Sequence, residues 1–327
     1  MLVSVIIPAI RWDAHLARAV DTVRAQVLPT ELEVEVAVAL AEPATVPEAA
    51  GLIVVDNPGG SIPVGLNRAI AATSGAVVAR VDSRCDLPGD YLVRVVRGLD
   101  DPHVGAVGGA ALVLDRGRFG SAYAIAFNSP LLGPSRYRFS RTSGPTDSPY
   151  LGAWRRETLD AVGGFDERLP RNQDNDLAER IGAAGLEVRY DAGAVVGYVA
   201  GRSIGATVRH HHSFGWWRMA QRHQGGDGLA PRHVAVVGVA AVGVVAGAAA
   251  LVRPRSRRAA LLAAGVAYLA AAVGATVTAA RLRDARSDLD LPPFDPVGVV
   301  AAPALAAVID VAWVVGLVRG RLRTHSS

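Results

Sequence analysis

The stretch VARVDSRCDLPGDY, residues 78–91, starts as an apolar strand and ends abruptly in charged side chains. Val78, Ala79 and Val81 have the pattern of a buried strand, and Asp82 follows at its end. Open α/β sheets bind their ligands at the carboxyl ends of the strands. The position of Asp82 therefore indicates a ligand site, although a merely polar strand end would explain the same residues.

Outward from this strand, strand and helix patterns alternate along the chain. We predict strands over 3–7, 32–40, 51–55 and 76–81, and helices over 14–26, 63–73, 89–99, 157–162 and 174–184. Such alternation predicts an α/β fold with a mainly parallel sheet. Residues 104–150 are richer in Gly, Pro, Ser and aromatic residues, and they are predicted to form irregular strands and loops.

The composition changes at about residue 232. The 327 residues have a mean hydropathy of +0.26, which is high for a soluble enzyme. Beyond Arg232 the chain contains three long apolar stretches, 234–252, 259–280 and 297–318. Each is close to or above the roughly 18–20 residues that cross a bilayer core. We therefore predict one globular domain followed by a membrane segment.

The positive charge of the chain points to a membrane rather than to nucleic acid. The formal net charge is +4, and all 34 basic residues are Arg. They concentrate beside the apolar stretches, at 253–258 and 319–323, where arginine suits lipid headgroups. Placing both clusters in the cytoplasm leaves two true spans, with 234–252 re-entrant or interfacial. Asp310, inside the last stretch, either faces a neighbouring helix or contacts a partner or lipid headgroup.

The expected compartment is the cytoplasmic (inner) membrane, with a multi-pass anchor and the globular part facing the cytoplasm. The N-terminal MLVSVIIPAI has no basic leader and no Ala-x-Ala cleavage site, and it is predicted to be a first strand. A single cysteine, Cys85, excludes an internal disulfide and fits a reducing compartment. As a lone thiol it is predicted to be a small core residue.

Five motifs carry a resemblance to a known family. In chain order they are VSVIIP, NPGGSIPVGLNRAI, SGAVVARVDSR, YLGAWRRETLDAVGGFDERLPRNQDNDLAERI and SFGWWR. Together they resemble the family 2 glycosyltransferases, and within that family the succinoglycan-biosynthesis glucosyltransferase branch. The resemblance implies an α/β GT-A fold, a Rossmann-like nucleotide-diphospho-sugar transferase domain, followed here by C-terminal transmembrane helices.

We accordingly predict three regions. Residues 1–205 form the GT-A glycosyltransferase domain, 206–232 an amphipathic interfacial helix, and 233–320 a membrane segment with two to three apolar helices. The middle region contains Trp216 and Trp217 among arginines, a composition typical of helices that lie on a membrane surface.

The resemblance implies a membrane-anchored, inverting transferase. The donor would be a nucleotide sugar, a UDP-sugar by expectation, and the acceptor a polyprenyl-linked or other membrane-presented molecule in cell-envelope or exopolysaccharide biosynthesis. Such a reaction needs a cation near the leaving phosphates, a base for the attacking hydroxyl, and alignment of both. The alternative is a catalytically silent glycosyltransferase-like scaffold in an envelope-polysaccharide assembly.

The donor site is assigned mainly by the resemblance. Asp82 matches the first acid of the family's metal-binding Asp-x-Asp and is expected to hold Mg²⁺ or Mn²⁺. Arg84 stands where the second acid would be; it is expected to pair with phosphate, which would weaken the metal dependence. Asp86 is either a further ligand or part of a turn. Asn67 and Glu42 complete the donor-binding candidates, and Glu42 is the nearest acid after the second strand.

The catalytic base is expected in NQDNDL, residues 172–177. Asp174 matches the family's base, whereas Asp176 is expected to be structural; first-turn helix residues would explain both carboxylates equally well from the sequence alone. Acceptor binding is assigned to three further residues. Trp154 can stack on a sugar or serve as a core residue. By the resemblance, Asp147 matches an acid of the branch and is expected to hold sugar hydroxyls, and Arg155 is the third acceptor-binding candidate.

Overall fold

The computed structural model describes residues 1–43, 46–47, 51–132, 135–201, 203–223 and 257–323. The chain divides into two compact units. The sheet unit consists of Met1–Leu112 and Ser140–Val199, and the helical unit of Val113–Phe139 and Ala200–Ser327. The apolar stretch predicted over 234–252 lies outside the described residues.

A nine-stranded sheet forms the frame of the sheet unit. Its strands are β1 (Leu2–Arg11), β2 (Glu33–Glu42), β3 (Ile53–Asp56), β4 (Val77–Arg80), β5 (Cys85–Asp86), β6 (Val104–Val113), β7 (Gly144–Pro145), β8 (Tyr150–Arg155) and β9 (Glu187–Tyr198). The order is β3-β2-β1-β4-β8-β6-β9-β5, with β7 also paired to β9. The first four strands run parallel, and β8 is antiparallel to β4. The predicted α/β sheet is confirmed, but it is mixed rather than mainly parallel, because β5, β6, β7, β8 and β9 join it through antiparallel pairs.

The helices follow the chain order. They are α1 (Ala14–Arg24), α2 (Ile62–Ala71), α3 (Tyr91–Gly98), α4 (Gly117–Phe127), α5 (Arg136–Phe139), α6 (Arg156–Val162), α7 (Gln173–Ala183), α8 (Ile204–His223), α9 (Arg257–Asp284) and α10 (Pro296–Arg323). The sheet unit contains α1, α2, α3, α6 and α7. They cover the sheet with apolar side chains, such as Leu16 and Val20 of α1 on one core and Leu66 of α2 on the other. Asp13 caps α1 by accepting from the backbone N–H groups of His15 and Leu16.

Residues 104–113 depart from the prediction of irregular structure. They form the ten-residue strand β6, which is buried along its whole length. Its glycines permit close approach, because a Cβ on Gly109 would overlap the carbonyl oxygen of Ala194 and one on Gly108 would overlap that of Leu151. Glycine normally weakens a strand prediction, and here it marks the tight packing of three neighbouring strands.

Among its described residues, the helical unit contains two helices long and apolar enough to cross a membrane. They cover Leu262–Asp284 and Pro296–Arg321, and only 17% and 28% of their apolar windows are buried. A core helix of a soluble protein would be mostly buried. The exposed large apolar side chains of α9 recur along the helix at Leu262, Val266, Leu269, Val273 and Val277. The prediction of C-terminal helices that could span a bilayer is confirmed.

Small residues let α8 lie against α10 inside the helical unit. A Cβ on Gly215 would overlap the carbonyl oxygen of Trp313, and one on Gly316 would overlap that of His212. Close backbone approach at glycine is a common way to pack membrane helices. Asp310 of α10 interacts electrostatically with Arg138 of α5, so its charge faces a neighbouring element of its own chain.

Candidate active site

A pocket in the sheet unit brings together residues that are far apart in the sequence. It lies beyond the end of β4 and is lined in part by Asp82, Trp154 and Asp174. The remaining lining residues are Arg80, Ala106, Pro149, Tyr150, Leu151, Gly152, Ala178 and Val188. Three of the predicted site residues therefore meet at the sheet edge where α/β folds bind ligands.

Asp82 is held at the pocket by the last residue of β4. Its Oδ1 accepts a hydrogen bond from Arg80 Nε at 2.8 Å. The Asp82 side chain is 36% exposed, whereas that of Arg80 is only 9% exposed. The carboxylate is thus accessible to a ligand while the guanidinium beneath it is nearly buried.

Arg80 connects the two acids electrostatically. Burial alone would lower the pKa of Arg80, but the negative charges of Asp82 and Asp174 outweigh that effect and raise the pKa. The prediction from sequence missed this residue. Its signal was a charged side chain inside the apolar run VVARV, at a position where a buried strand normally carries an apolar residue.

Asp174 reaches the pocket from the first turn of α7. Asn172, which precedes this helix, has a φ of 62°, and Leu151 in the pocket wall has a φ of 51°. Residues other than glycine seldom adopt this left-handed conformation, and such positions concentrate at functional sites. Asp176 in the same turn instead forms an ion pair with Arg180 at 2.7 Å, in keeping with the structural role expected for it.

Trp154 serves the core and the pocket together. The residue is 5% exposed, and its ring packs edge-on against Phe165 with ring centroids 5.7 Å apart. The indole also lies over Gly152, where a Cβ would overlap the ring. One edge of a largely buried tryptophan therefore forms part of the pocket wall, so Trp154 is a core residue, and its stacking on a sugar stays a prediction.

Two predicted binding residues make tertiary hydrogen bonds away from the pocket wall. The Arg155 guanidinium donates to the carbonyl oxygens of Leu99, Asp101 and Val104. The Asn67 amide bonds both backbone groups of Phe165 and the Glu167 carboxylate. These contacts tie loops together in the sheet unit.

The remaining predicted residues lie elsewhere on the sheet unit. Arg84 is exposed after the strand end, Glu42 is the last residue of β2, and Asp147 is exposed between β7 and β8. None of the three is among the described residues that line the pocket. Asp86, the other acid of this stretch, forms an ion pair with Arg18 at 2.7 Å.

Cys85 supports the floor of the site. Its Sγ lies 3.2 Å from the hydroxyl of Tyr150, which is itself a pocket residue. Burial raises the pKa of the Cys85 thiol and that of the Tyr150 hydroxyl. Both groups therefore stay protonated near neutral pH, and Cys85 behaves as the core residue that the sequence predicts.

A divalent cation would find one accessible carboxylate near the strand end. Within the described ranges, no three His, Cys, Asp or Glu side chains lie close enough to form a metal site. Mg²⁺ in nucleotide sites is held by one or two carboxylates together with substrate phosphates and water. Asp82 fits that minimal arrangement, in which phosphate oxygens of a bound ligand would complete the coordination.

The chain is similar to a curated protein in sequence and to a solved glycosyltransferase in structure. Over 194 residues the chain is 26% identical to "Succinoglycan biosynthesis protein ExoA" of Rhizobium meliloti (strain 1021), which covers 56% of this chain and 59% of the relative. The alignment thus spans less than two thirds of that relative. The mannosyltransferase PcManGT from Pyrobaculum calidifontis, in complex with GDP-Man and Mn²⁺, superimposes with a TM-score of 0.54 at 19% identity, covering 98% of this chain and 86% of that one.

The superposition on a mannosyltransferase confirms the predicted GT-A fold. A weaker likeness is to S. aureus TarS 1–349 in complex with UDP, with a TM-score of 0.46 at 16% identity over 71% of this chain and 68% of that one. A family model described as glycosyl transferase family 21 matches residues 64–323, which include Asp82, Trp154 and Asp174. Since this match takes in most of the 327 residues, the chain belongs to glycosyl transferase family 21.

Proposed function

We propose that this glycosyltransferase is membrane-anchored and inverting, and that it moves a sugar from a nucleoside-diphosphate donor to a hydroxyl of a lipid-linked or membrane-presented acceptor. The observation that carries the proposal is the convergence of Asp82 and Asp174 on one pocket at the end of β4. The GDP-Man bound by the mannosyltransferase of similar fold supports a nucleotide-sugar donor. The relative named for succinoglycan biosynthesis supports a polysaccharide product.

The chemistry divides between the two acids. Asp174 accepts the proton of the acceptor hydroxyl as that oxygen attacks the anomeric carbon. The bond from this carbon to the diphosphate breaks, and its electron pair leaves with the nucleoside diphosphate. Attack from the face opposite the leaving group inverts the anomeric carbon. Asp82 helps to bind the diphosphate, and a Mg²⁺ or Mn²⁺ ion held there would neutralise charge on the leaving phosphates.

The acceptor and the membrane belong to the same proposal. The two apolar helices, Leu262–Asp284 and Pro296–Arg321, provide an anchor that would keep the enzyme where polyprenyl-linked sugars reside. The arginine clusters at 253–258 and 319–323 favour a cytoplasmic position for the loops that contain them. We therefore place the enzyme in the cytoplasmic membrane with the sheet unit in the cytoplasm, where nucleotide sugars would be its donors.

The test is sugar transfer in membrane vesicles that contain the full chain. Labelled UDP-glucose, UDP-galactose and GDP-mannose are supplied separately with Mg²⁺ or Mn²⁺, and label is counted in the lipid-extractable fraction. We expect one donor to give label, and Asp174→Asn to reduce the rate about 100-fold or more because the base is lost. Asp176→Asn is the matched control: it alters the same helical turn at a residue that pairs with Arg180, and it should retain most of the rate.

The alternative is a catalytically silent scaffold in an envelope-polysaccharide assembly. The observation that favours it is Arg84 at the place of the second metal-binding acid. Equal background label in the wild type and in Asp174→Asn, with every donor and with an acceptor-rich membrane extract, would replace the enzyme proposal by the scaffold.

A further inference from the structure

The pocket contains one nearly buried positive charge beside two negative ones. Arg80 is the single cationic side chain among the described residues that line the pocket. It donates to Asp82 over 2.8 Å, and its charge also interacts with that of Asp174. Charges removed from water need compensation by opposite charge. Arg80 is therefore a counter-ion that both acids share.

The guanidinium retains unused hydrogen-bond donors. Nε is taken by Asp82, whereas Nη1 and Nη2 donate to no residue within the described part of the chain. A guanidinium carries five N–H donors in a planar fork that matches phosphate oxygens. Because Arg80 lines the pocket, a phosphate group placed there would find these donors open.

A divalent cation and Arg80 compete for the same carboxylate. A cation bound to Asp82 alone would lie next to the guanidinium that already pairs with Asp82, and like charges at such short range repel each other. A diphosphate alone would face two carboxylates and one guanidinium, so the net negative charge of the pocket would repel it. When both arrive, the diphosphate offsets the added positive charge and can accept from the free donors of Arg80.

We propose that Arg80 is the resident counter-ion of Asp82, which it releases only when a nucleoside diphosphate and a divalent cation bind together. In the bound state Asp82 contacts the cation and Arg80 donates to the diphosphate. The cation and the nucleotide then strengthen each other's binding by the same factor, since linkage between two ligands is reciprocal. This inference rests on the proposed function, because it requires a nucleoside diphosphate in this pocket, and it makes Arg80 a binding and positioning residue.

Binding measurements test this coupling without relying on turnover. The purified full chain is titrated with Mn²⁺ in the absence and presence of UDP or GDP, and with each nucleotide in EDTA, by calorimetry or manganese electron paramagnetic resonance. In the wild type we expect weak binding of either ligand alone and about tenfold tighter Mn²⁺ binding with the preferred nucleotide, within the usual range of coupling between sites.

Charge-removing and charge-keeping variants separate the counter-ion role from a structural one. Arg80→Met and Arg80→Gln remove the competing charge, so Mn²⁺ alone should bind several-fold more tightly, while nucleotide binding weakens and the coupling shrinks. Arg80→Lys keeps the charge and should leave Mn²⁺ binding close to the wild type. Arg94→Met is the matched control: Arg94 is a partly exposed residue of α3 that pairs with Asp90 at 2.6 Å outside the pocket, so its replacement should change none of these values.

A merely structural Arg80 would weaken Mn²⁺ and nucleotide binding together in both neutral variants, and that result would overturn the inference. So would unchanged coupling in those variants. If either neutral variant fails to fold, the other and Arg80→Lys still report on Mn²⁺ affinity. If neither UDP nor GDP bound the wild type, with or without Mn²⁺, the proposed function would be rejected as well, whereas nucleotide binding with no role for Arg80 would reject the inference alone.

Discussion

Gly152 lies on β8 beside the indole of Trp154, and its missing side chain lets the ring lie against the strand. This contact fixes one wall of the pocket, because Gly152 and Trp154 both line it. A residue that only packs thereby controls the width of the pocket.

Gly152→Ala is expected to lower both stability and activity. The added methyl group overlaps the indole, and overpacking of this kind costs about 1–3 kcal/mol. The displaced ring narrows the pocket, so sugar transfer should fall more than the loss of folded protein explains. The control is Gly182→Ala on α7, where the added Cβ would meet no described atom of another element within 4 Å. It should stabilise the chain by about 0.5–1 kcal/mol with transfer unchanged. Thermal unfolding and the vesicle assay measure both effects, and equal behaviour of the two variants would contradict the packing argument.

At the residue scale, the sequence predicts those site residues that follow a recognisable strand end or helix start. Asp82 and Asp174 meet in one pocket because each stands at such a boundary. Arg80 was missed because a buried arginine is defined by its partners, and one of these lies 94 positions further along the chain, at Asp174. Tertiary contacts of this kind leave no local pattern in a single sequence.

At the scale of strands, a polar network lies at the amino-terminal ends of the parallel strands, whereas the pocket lies beyond the carboxyl end of β4. Glu35 near the start of β2 accepts hydrogen bonds from the Ser4 hydroxyl and from the backbone N–H groups of Ser74 and Gly75. Arg156 donates to the Gly75 carbonyl and to Ser4. This network joins β1, β2, the loop before β4 and α6, so it acts on the stability of the sheet.

The network predicts a pH dependence of folding. Partial burial alone would raise the pKa of Glu35, but the hydrogen bonds from Ser4, Ser74 and Gly75, together with nearby Arg156, lower it from its ordinary value of 4.5. A carboxyl whose pKa is lowered by folding contributes stability above its unfolded pKa and loses it as the pH falls through the folded pKa.

Glu35→Gln should therefore be less stable than the wild type at pH 7, and the difference should shrink steadily below about pH 4.5. Denaturant unfolding at pH 7, 5, 4 and 3 measures this change. Glu33→Gln, exposed at the start of the same strand, should follow the wild type throughout. A constant difference between wild type and Glu35→Gln across the series would exclude the network as a source of acid sensitivity.

Regular elements were predictable where their patterns were local. The parallel strands β1, β2, β3 and β4 lie where apolar runs end in turn residues. The length of β6 and the helix α4 were missed, although irregular strands were predicted over 104–150, because the glycine and alanine content of both elements is set by contact with neighbouring elements. The need for glycine at 108 and 109 is evident only from the structure, because it arises from the close approach of β8 and β9.

At the scale of the whole molecule, the two units are not consecutive in the chain. Residues 113–139 leave the sheet unit after β6 and belong to the helical unit, where Ile125 of α4 packs with Ala275 and Ala279 of α9 and with Ala302 of α10. The sequence predicts three consecutive regions, 1–205, 206–232 and 233–320, whereas the structure divides the chain after residues 112, 139 and 199 into two units that are not consecutive. A glycine contact reinforces the packing, since a Cβ on Gly298 would lie 2.7 Å from Ser121 Cβ.

A chain ended after Val199 should therefore fail as a soluble enzyme. It retains α4 but loses α9 and α10, so Ile125, which is fully buried, and the apolar side chains around it become exposed. An exposed apolar patch of this kind promotes aggregation. We expect residues 1–199 to elute as large aggregates in size-exclusion chromatography. Replacing 117–127 by a Gly/Ser linker in the same fragment should restore a monomeric fraction, because it removes the patch. A monomeric fragment 1–199 as heat-stable as the full chain would show instead that α4 needs no cover from the C-terminal helices.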